Sequence, residues 1–261
     1  MESDCMYAIG QSHQVCQDYA SVGPEFAMIS DGCSSSPDTD LGARYLASAA
    51  ALWFQVHGTH HFDPRWVVTR ASEAASWLGS SPCSLDATLL VAHRRDARSI
   101  VLTAAGDGVL AMRDTAGVLT TYHIDDGGAP AYLSYLVDSR RMAAYAAAGY
   151  DRRIVSICRD GSLVAQVPLR LSRDFILRLH LATRGIEALF LFSDGVSSFA
   201  TKRGDAVADH EVIAELCAIK GYRGAFVQRR MRRFLNKTCP SRGWNHHDDV
   251  AMAALYVGED S

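Results

Sequence analysis

No apolar run in the sequence approaches the roughly 20 residues needed to cross a bilayer. The opening MESDCMYAIG lacks the basic then apolar layout of a secretory signal. Both absences predict a cytoplasmic chain with no membrane partner. No C-x-x-C pair occurs, and the seven cysteines (5, 16, 33, 83, 158, 217 and 239) are scattered and odd in number. That argues against a zinc ribbon or a disulfide framework and fits a reducing compartment. Neither sign of charge is in excess: 26 Lys and Arg stand against 29 Asp and Glu, a net of −3, so overall charge names no nucleic-acid partner. There is no internal repeat, low-complexity tract or linker, and residues 1–261 read as one domain.

What is present is enough apolar residue for a substantial core, 48% of the chain. Short apolar or alternating segments predict strands at 5–12 and 25–30, then a meander at 84–93, 99–106, 109–113 and 118–124. Helices are predicted at 39–58, with Thr39 or Asp40 as N-cap, and at 63–79, where Asp63 caps and Pro64 sits in the first turn. Residues 125–151 read as an excursion from the sheet. Strands resume over 153–169 around a hairpin turn at Arg159-Asp160-Gly161-Ser162, and again at 186–193. Two helices, 209–220 and 223–238, precede a closing strand at 248–257. Strands in adjacent meanders, with helices grouped in pairs, predict an α+β fold with antiparallel sheets.

The chemistry lies in carboxylates at strand ends. ALFLFSDGVSSF carries Asp194-Gly195 out of an apolar strand, EFAMISDGCSS does the same with Asp31-Gly32, and SIVLTAAGDGVLAM holds Asp107 between two glycines. VCQDYA adds Asp18, and NHHDDV adds Asp248 and Asp249. A single Asp-Gly reads as a turn. Several carboxylates gathered at one mouth are different, because two charges at ~4 Å repel by about 4 kcal/mol at an effective dielectric of 20. Such a cluster must take up protons or bind cations, and all-oxygen donors select Mg²⁺ or Mn²⁺ over zinc.

These segments, in this order, resemble the metal-dependent protein phosphatases, the type-2C serine/threonine family: CQDYA, AMISDGCSSS, DATLLVAH, AAGDGVLAM, LFLFSDGVSS and HDDVAMAAL, over roughly residues 5 to 257. The start GQSHQVCQD resembles a bacterial branch of that family. The resemblance implies an α-β-β-α sandwich, two packed antiparallel sheets flanked by helix pairs, with a binuclear Mn²⁺ or Mg²⁺ centre. It implies that Asp31 bridges the two metals, that Asp18 and the Gly32 carbonyl serve one of them, and that Asp194 and Asp248 serve the other. Asp248 is preferred to Asp249 because the family's ligand is the first Asp of its last strand. Asp107 would hold a weaker third ion with Asp194. Gly32 and Gly195 would let backbone approach a metal and its waters. Water bridging two such cations is hydroxide-like near neutral pH and can attack a phosphate monoester in line, so no nucleophilic side chain is assigned. The implied partner is a phosphoserine or phosphothreonine protein, with an opposing kinase.

Two departures bear on substrate. His13 stands where many members have an Arg that contacts phosphate, and is taken with Asp31 and Asp194 as the catalytic set. The segment around 125–150, where the family has a variable flap, is unlike the common form. Two other functions remain open, a pseudophosphatase that holds phosphoproteins and a hydrolase of small phosphate esters. His246 and His247 read as supports beside the carboxylates rather than ligands. HGTHHF (57–62) reads as a solvated connection, and QRRMRRF (228–234) as a solvated face or a docking surface for acidic phosphoproteins. Cys33 reads as a small buried thiol.

Overall fold

The computed structural model describes residues 2–127, 129–150, 152–170 and 175–258. The first strand, β1 (Glu2–Ala8), leads through a loop into the hairpin β2 (Asp18–Gly23) and β3 (Phe26–Asp31). A helix pair follows, α1 (Thr39–His57) and α2 (Pro64–Trp77), and then the meander β4 (Leu89–Asp96), β5 (Ser99–Ala105), β6 (Gly108–Asp114) and β7 (Leu119–Asp125). The described residues of the excursion hold a 3-10 turn at Leu133–Leu136 and a short helix, α3 (Ser139–Ala147). Beyond it come β8 (Arg152–Arg159), β9 (Ser162–Arg170), β10 (Leu177–Ala182), β11 (Ile186–Phe192) and β12 (Phe199–Thr201). The chain closes through α4 (Asp209–Cys217), α5 (Phe226–Arg233), α6 (Cys239–Arg242), β13 (Trp244–His246) and β14 (Val250–Tyr256).

One sheet has seven strands in the order β1-β14-β11-β6-β7-β8-β9, a second has five in the order β10-β5-β4-β3-β2, and β12 and β13 form a small ribbon. All described pairings of the two large sheets are antiparallel. Period-2 alternation sorts the side chains. Leu189 and Leu191 of β11, with Ala251, Ala253 and Leu255 of β14, turn inward against Ile29, Leu90 and Leu102 of the other sheet. Phe190, Phe192, Val250 and Met252 turn outward against Val212, Leu216, Phe226 and Met231 of α4 and α5. On the opposite side, Leu46, Ala50, Val67 and Ala71 of α1 and α2 cover Met28 and Val91. The order of layers is helix, sheet, sheet, helix, as the family resemblance implies. Among the described residues no helix is long and apolar enough to cross a membrane.

Several local expectations shift. The first strand runs over 2–8 rather than 5–12, since residues 10–17 turn away as a loop, and β2 is an additional strand. Residues Pro82–Leu85 form one 3-10 turn, so the strand predicted from residue 84 starts only at Leu89. β10 was not predicted, although LRLHLA alternates strictly. α1 is preceded by Asp38 in the left-handed region, with no side-chain cap from Thr39 or Asp40. The helix expected over 223–238 starts at Phe226, beyond Gly224 at φ +59°, and its last turn widens to a π-helix at Phe234–Thr238. The β8–β9 hairpin turns at Asp160 and Gly161, both at positive φ, as its sequence predicts.

Candidate active site

Asp31 ends β3, and its register partner across the hairpin is Asp18 at the start of β2. Thr88 pins this strand end: the Asp31 amide donates to Thr88 Oγ1 at 3.1 Å, and the Thr88 amide donates to the Asp31 carbonyl at 2.8 Å. Asp18 is only 1% exposed. Its Oδ2 accepts the Ser193 hydroxyl at 2.6 Å, while its Oδ1 is buried with no hydrogen-bond partner. Asp107 occupies the turn between β5 and β6, flanked by Gly106 at φ +83° and Gly108 at φ +139°, values that glycine adopts without steric cost. Asp194 follows β11 in a single 3-10 turn, and Asp248 lies two residues before β14, with Asp249 between.

Four of these five carboxylates line one cavity of about 150 Å³: Asp31, Asp107, Asp194 and Asp248, together with Gly32 and His13. Asp18 lies behind Asp31 rather than in the cavity wall. Among the described residues no three His, Cys, Asp or Glu side chains close into a ready-made metal cage. Oxygen donors nonetheless dominate the lining, with four carboxylates beside one histidine and one cysteine, and the Asp18 Oδ1 behind the wall is buried without a partner. Backbone is close-packed at Gly32, where a Cβ would meet the Thr39 carbonyl oxygen at 2.7 Å. This donor set fits Mg²⁺ or Mn²⁺, which keep waters in their coordination shell and rarely demand an all-protein cage.

The charges in the wall work against one another. Burial, then the neighbouring Asp18 and Asp194 carboxylates, hold Asp31 well above the usual carboxylate range. Burial pushes Asp18 up to about 7, opposed by its bond from Ser193. Burial and then Asp194 push Asp107 up to about 7, and the same causes raise Asp248. Without cations these groups share protons, whereas a divalent ion would invert that preference.

The adjacent acids Asp248 and Asp249 part company. Asp249 is 2% exposed and turned into the protein, accepting the Gly10 amide at 2.7 Å and the Gln17 amide at 2.6 Å. Asp248 is half-exposed and faces the cavity. The His13 ring spans the two, with Nδ1 3.0 Å from Asp249 and Nε2 3.5 Å from Asp248. The Asp249 carboxylate beside it raises the His13 pKa against the opposing effect of its burial, and Asp248 adds to the rise. His246 does not line the cavity: its Nε2 lies 3.0 Å from the Ile9 carbonyl, and its ring stacks on Phe199. Gly195 has a reason other than the expected one. A Cβ there would meet the Asp249 carbonyl oxygen at 1.7 Å, so the close approach is to backbone of the last strand's entry. Cys33 is half-exposed in the cavity wall rather than buried, with Sγ 3.0 Å from the Ser35 hydroxyl.

Some supporting residues were not legible in the sequence. Ser193 orients Asp18 while its Oγ accepts the Ala251 amide at 2.9 Å, tying β2, β11 and β14 together. Asp86, in a segment that reads as strand, receives Arg141 of α3 in bidentate fashion at 2.9 and 2.7 Å, and also the Ser134 and Ser36 hydroxyls. Arg153 and Asp126 form a second bidentate pair, both side chains wholly buried. These two pairs bracket the excursion and set Pro130 and Tyr132 against the cavity.

Two face-to-face antiparallel sheets with outer helix pairs and strand-end carboxylates define a phosphatase fold of the α-β-β-α type, and solved structures share it. A bacterial serine phosphatase superposes with a TM-score of 0.61 at 10% identity, covering 100% of this chain and 99% of that one. The catalytic domain of the serine/threonine phosphatase PstP, solved with two manganese ions, gives 0.57 at 17% identity over 97% and 96%, and the Mycobacterium tuberculosis serine/threonine phosphatase PstP gives 0.57 at 17% over 98% of each chain. Staphylococcus aureus Stp1, a serine/threonine phosphatase, gives 0.57 at 11% identity over 98% and 95%. No curated protein sequence matches the chain. The Protein phosphatase 2C family profile matches residues 9–236, and the chain belongs to that family. The matched span includes Asp18, Asp31, Asp107 and Asp194 and ends before Asp248.

Proposed function

We propose that residues 1–261 form a single Mn²⁺- or Mg²⁺-dependent phosphatase domain that removes phosphate from phosphoserine and phosphothreonine in proteins, opposing a kinase in the cytoplasm. The observation that carries this reading is the shared cavity of Asp31, Asp107, Asp194 and Asp248, with Asp249 turned away from it. Asp31, Asp18 and the Gly32 carbonyl, with Asp194 and Asp248, would hold two ions, and Asp107 with Asp194 a weaker third. Bound there, the ions would supply the nucleophile by acidifying water and would offset charge on the phosphoryl oxygens. The chain's own contribution is placement. Thr88 fixes the end of β3, Ser193 fixes Asp18, and the clamped excursion walls one side with Pro130 and Tyr132. His13 lies between two carboxylates that raise its pKa, and when protonated it would present a positive ring to a phosphate dianion. Scattered unpaired cysteines support a reducing location.

One observation favours the binding-only alternative. No Arg or Lys is among the described residues lining the cavity, so a single histidine does the work that a permanent cation would do. Release of phosphate from a phosphothreonine peptide with Mn²⁺ separates the readings. Metal-dependent release abolished by EDTA supports the phosphatase. Stoichiometric peptide binding without release supports the pseudophosphatase, and release from small phosphate esters alone supports the small-molecule hydrolase.

A further inference from the structure

The arginine run of α5 lies in the middle of a longer helix. Helical backbone continues from α5 through the π-helix at Phe234–Thr238 and α6 to Arg242. A helix dipole favours cations only in its last turn, so it does not account for Arg229, Arg230 and Arg233. Helical spacing divides α5: Phe226, Val227 and Met231 pack inward, while Arg229 and Arg233, four apart, share the exposed side. Like charges at that spacing cost a helix about 0.2–0.5 kcal/mol, and α5 carries no acid to offset them. Packing gains nothing from this pair.

Beside them the α4–α5 connection opens a cavity of about 500 Å³. Its floor is Ala218 with the buried Ile219 and Phe226, and its rim is the exposed Lys220, Gly221, Arg229 and Arg233. No Asp or Glu is among the described lining residues. Arg230 also lines it but is neutralised, since Glu215 accepts its guanidinium at 2.8 Å and takes Arg242 as well. Lys220, Arg229 and Arg233 make no ion pair among the described residues, and Arg229 donates to the Arg223 carbonyl at 2.9 Å. A second cavity of about 600 Å³ shares Lys220, Gly221 and Arg229 and extends the first into a groove, past the Tyr222 and Tyr256 rings stacked 4.3 Å apart. Charge in this second stretch is mixed. Glu187 pairs with Arg113 at 2.6 Å, the exposed Glu2 and Arg223 both line the wall, and Asp4 of β1 accepts the Gln228 backbone and side-chain amides at 3.0 and 3.1 Å. An acid is therefore repelled at the Glu2 end and attracted at the Lys220–Arg233 end.

We propose that this groove docks an acidic, unphosphorylated segment of a protein partner, its carboxylates facing Lys220, Arg229 and Arg233 and an apolar side chain resting against Ala218 and Ile219. Charge selects an acid. Single-stranded nucleic acid would need open aromatic faces on which to stack, whereas Phe226 is 1% exposed and Tyr222 is covered by Tyr256. The groove lies at the Tyr256 end of β14 and the carboxylate cavity at the Asp248 end, and Val250 to Tyr256 spans roughly 20 Å at 3.3 Å per residue. Extended chain covers at most about 3.6 Å per residue, so the acidic segment stands at least about six residues from a phosphorylated residue held in the cavity. That the partner is a substrate rests on the phosphatase reading; that its segment is acidic does not.

The test uses the full chain. Affinity for the fluorescently labelled peptide Glu-Glu-Leu-Glu-Glu is read by anisotropy in EDTA, where turnover plays no part, and a phosphothreonine peptide carrying the same segment is turned over with Mn²⁺. Lys220→Glu, Arg229→Glu and Arg233→Glu, all at exposed positions, should each weaken the acidic peptide at least tenfold and raise KM for the tethered phosphopeptide by a similar factor. Its kcat, and turnover of the same phosphopeptide without the segment, should not change. Binding should weaken as salt is raised, because the contacts are exposed charges. Binding without turnover of any phosphopeptide would support the docking groove and count against the phosphatase reading alone. Equal affinity for Gln-Gln-Leu-Gln-Gln, unchanged binding in the folded charge-reversed variants, tighter binding of a single-stranded oligonucleotide through the same residues, or peptide binding that emerges only when the chain's own acidic residues 259–261 are removed would each overturn the proposal.

Discussion

Replacing Asp248 and Asp249 one at a time separates holding the fold from holding the cofactor. The Asp249 carboxylate accepts two backbone amides, Gly10 at 2.7 Å and Gln17 at 2.6 Å, and is 2% exposed. Hydrogen bonds to a charged group contribute about 1.5–3 kcal/mol each, and Asp249→Ala strands both donors. Gln17 is half-exposed and water can reach its amide, so the lower end applies and the loss is about 3–4 kcal/mol. For a chain of this size that lowers Tm by about 6–15 °C, at roughly 2–4 °C per kcal/mol. Asp248 is half-exposed, and its carboxylate accepts only the Asp249 amide, at 2.8 Å, among the described hydrogen bonds. Asp248→Ala should therefore change stability by no more than ~1 kcal/mol. Activity should divide the other way. Asp248→Ala should lose Mn²⁺ affinity and turnover by orders of magnitude, whereas Asp249→Ala, assayed well below its own Tm, should keep a measurable share of both. The assays are differential scanning calorimetry in EDTA, Mn²⁺ titration calorimetry and phosphopeptide turnover. An Asp249→Ala protein with wild-type Tm and no Mn²⁺ binding would show that the two roles are reversed.

Three further outcomes follow from the same geometry. Asp18 and Asp107 have folded pKa values of about 7 against an ordinary 3.8, so the folded state binds more protons in that interval, and stability in EDTA should fall as pH rises from 3.8 to about 7. Saturating Mn²⁺ should remove the slope, and Asp31→Asn should stabilise the metal-free protein while abolishing turnover; a slope unaffected by Mn²⁺ would separate these groups from metal binding. His13 has a pKa above 6.5, so KM for a phosphopeptide should rise as pH climbs through that higher value; His13→Arg should flatten the rise, and parallel curves for the two proteins would remove His13 from phosphate contact. Arg153→Met leaves Asp126 buried and unpaired and should cost about 3–5 kcal/mol in denaturant titrations, whereas a loss below ~1 kcal/mol would mean the pair is solvated.

The layers were legible because alternation is local: Phe190 and Phe192 against Leu189 and Leu191 state in four letters that one strand is covered on both faces. The Asp-Gly strand ends were legible for the same reason, since each acid, its strand and its turn lie within a few residues. What could not be read were relations made by folding. Ser193 reaches Asp18 across 175 residues, and nothing in SDG marks its hydroxyl as a clamp. Asp86 looked like a strand residue because its partners, Ser134 and Arg141, lie 48 and 55 positions away. Gly195 was recognised as constrained but for the wrong neighbour, because only the fold brings the Asp249 carbonyl to it. His60 and His61 line a pocket although their connection reads as solvated, because β10, which was not predicted, lays His180 and Arg178 alongside.

The two arginine latches that bracket the excursion limit how the family's variable segment can diversify in this lineage. The side chains of Asp126 and Arg153 have no exposed surface, and Asp86 fastens Arg141, Ser134 and Ser36 at once, so neither acid can lose its arginine without stranding a charge. Novelty in substrate choice is left to the stretches between the latches, chiefly residues 129–132 and the exposed side of 142–150. A chimera that transplants another phosphatase's segment should carry its own matched anchors or keep these. Recombination breakpoints placed outside 86 and 153 would preserve both latches, and breakpoints between them would cut the hinge pins while leaving the door.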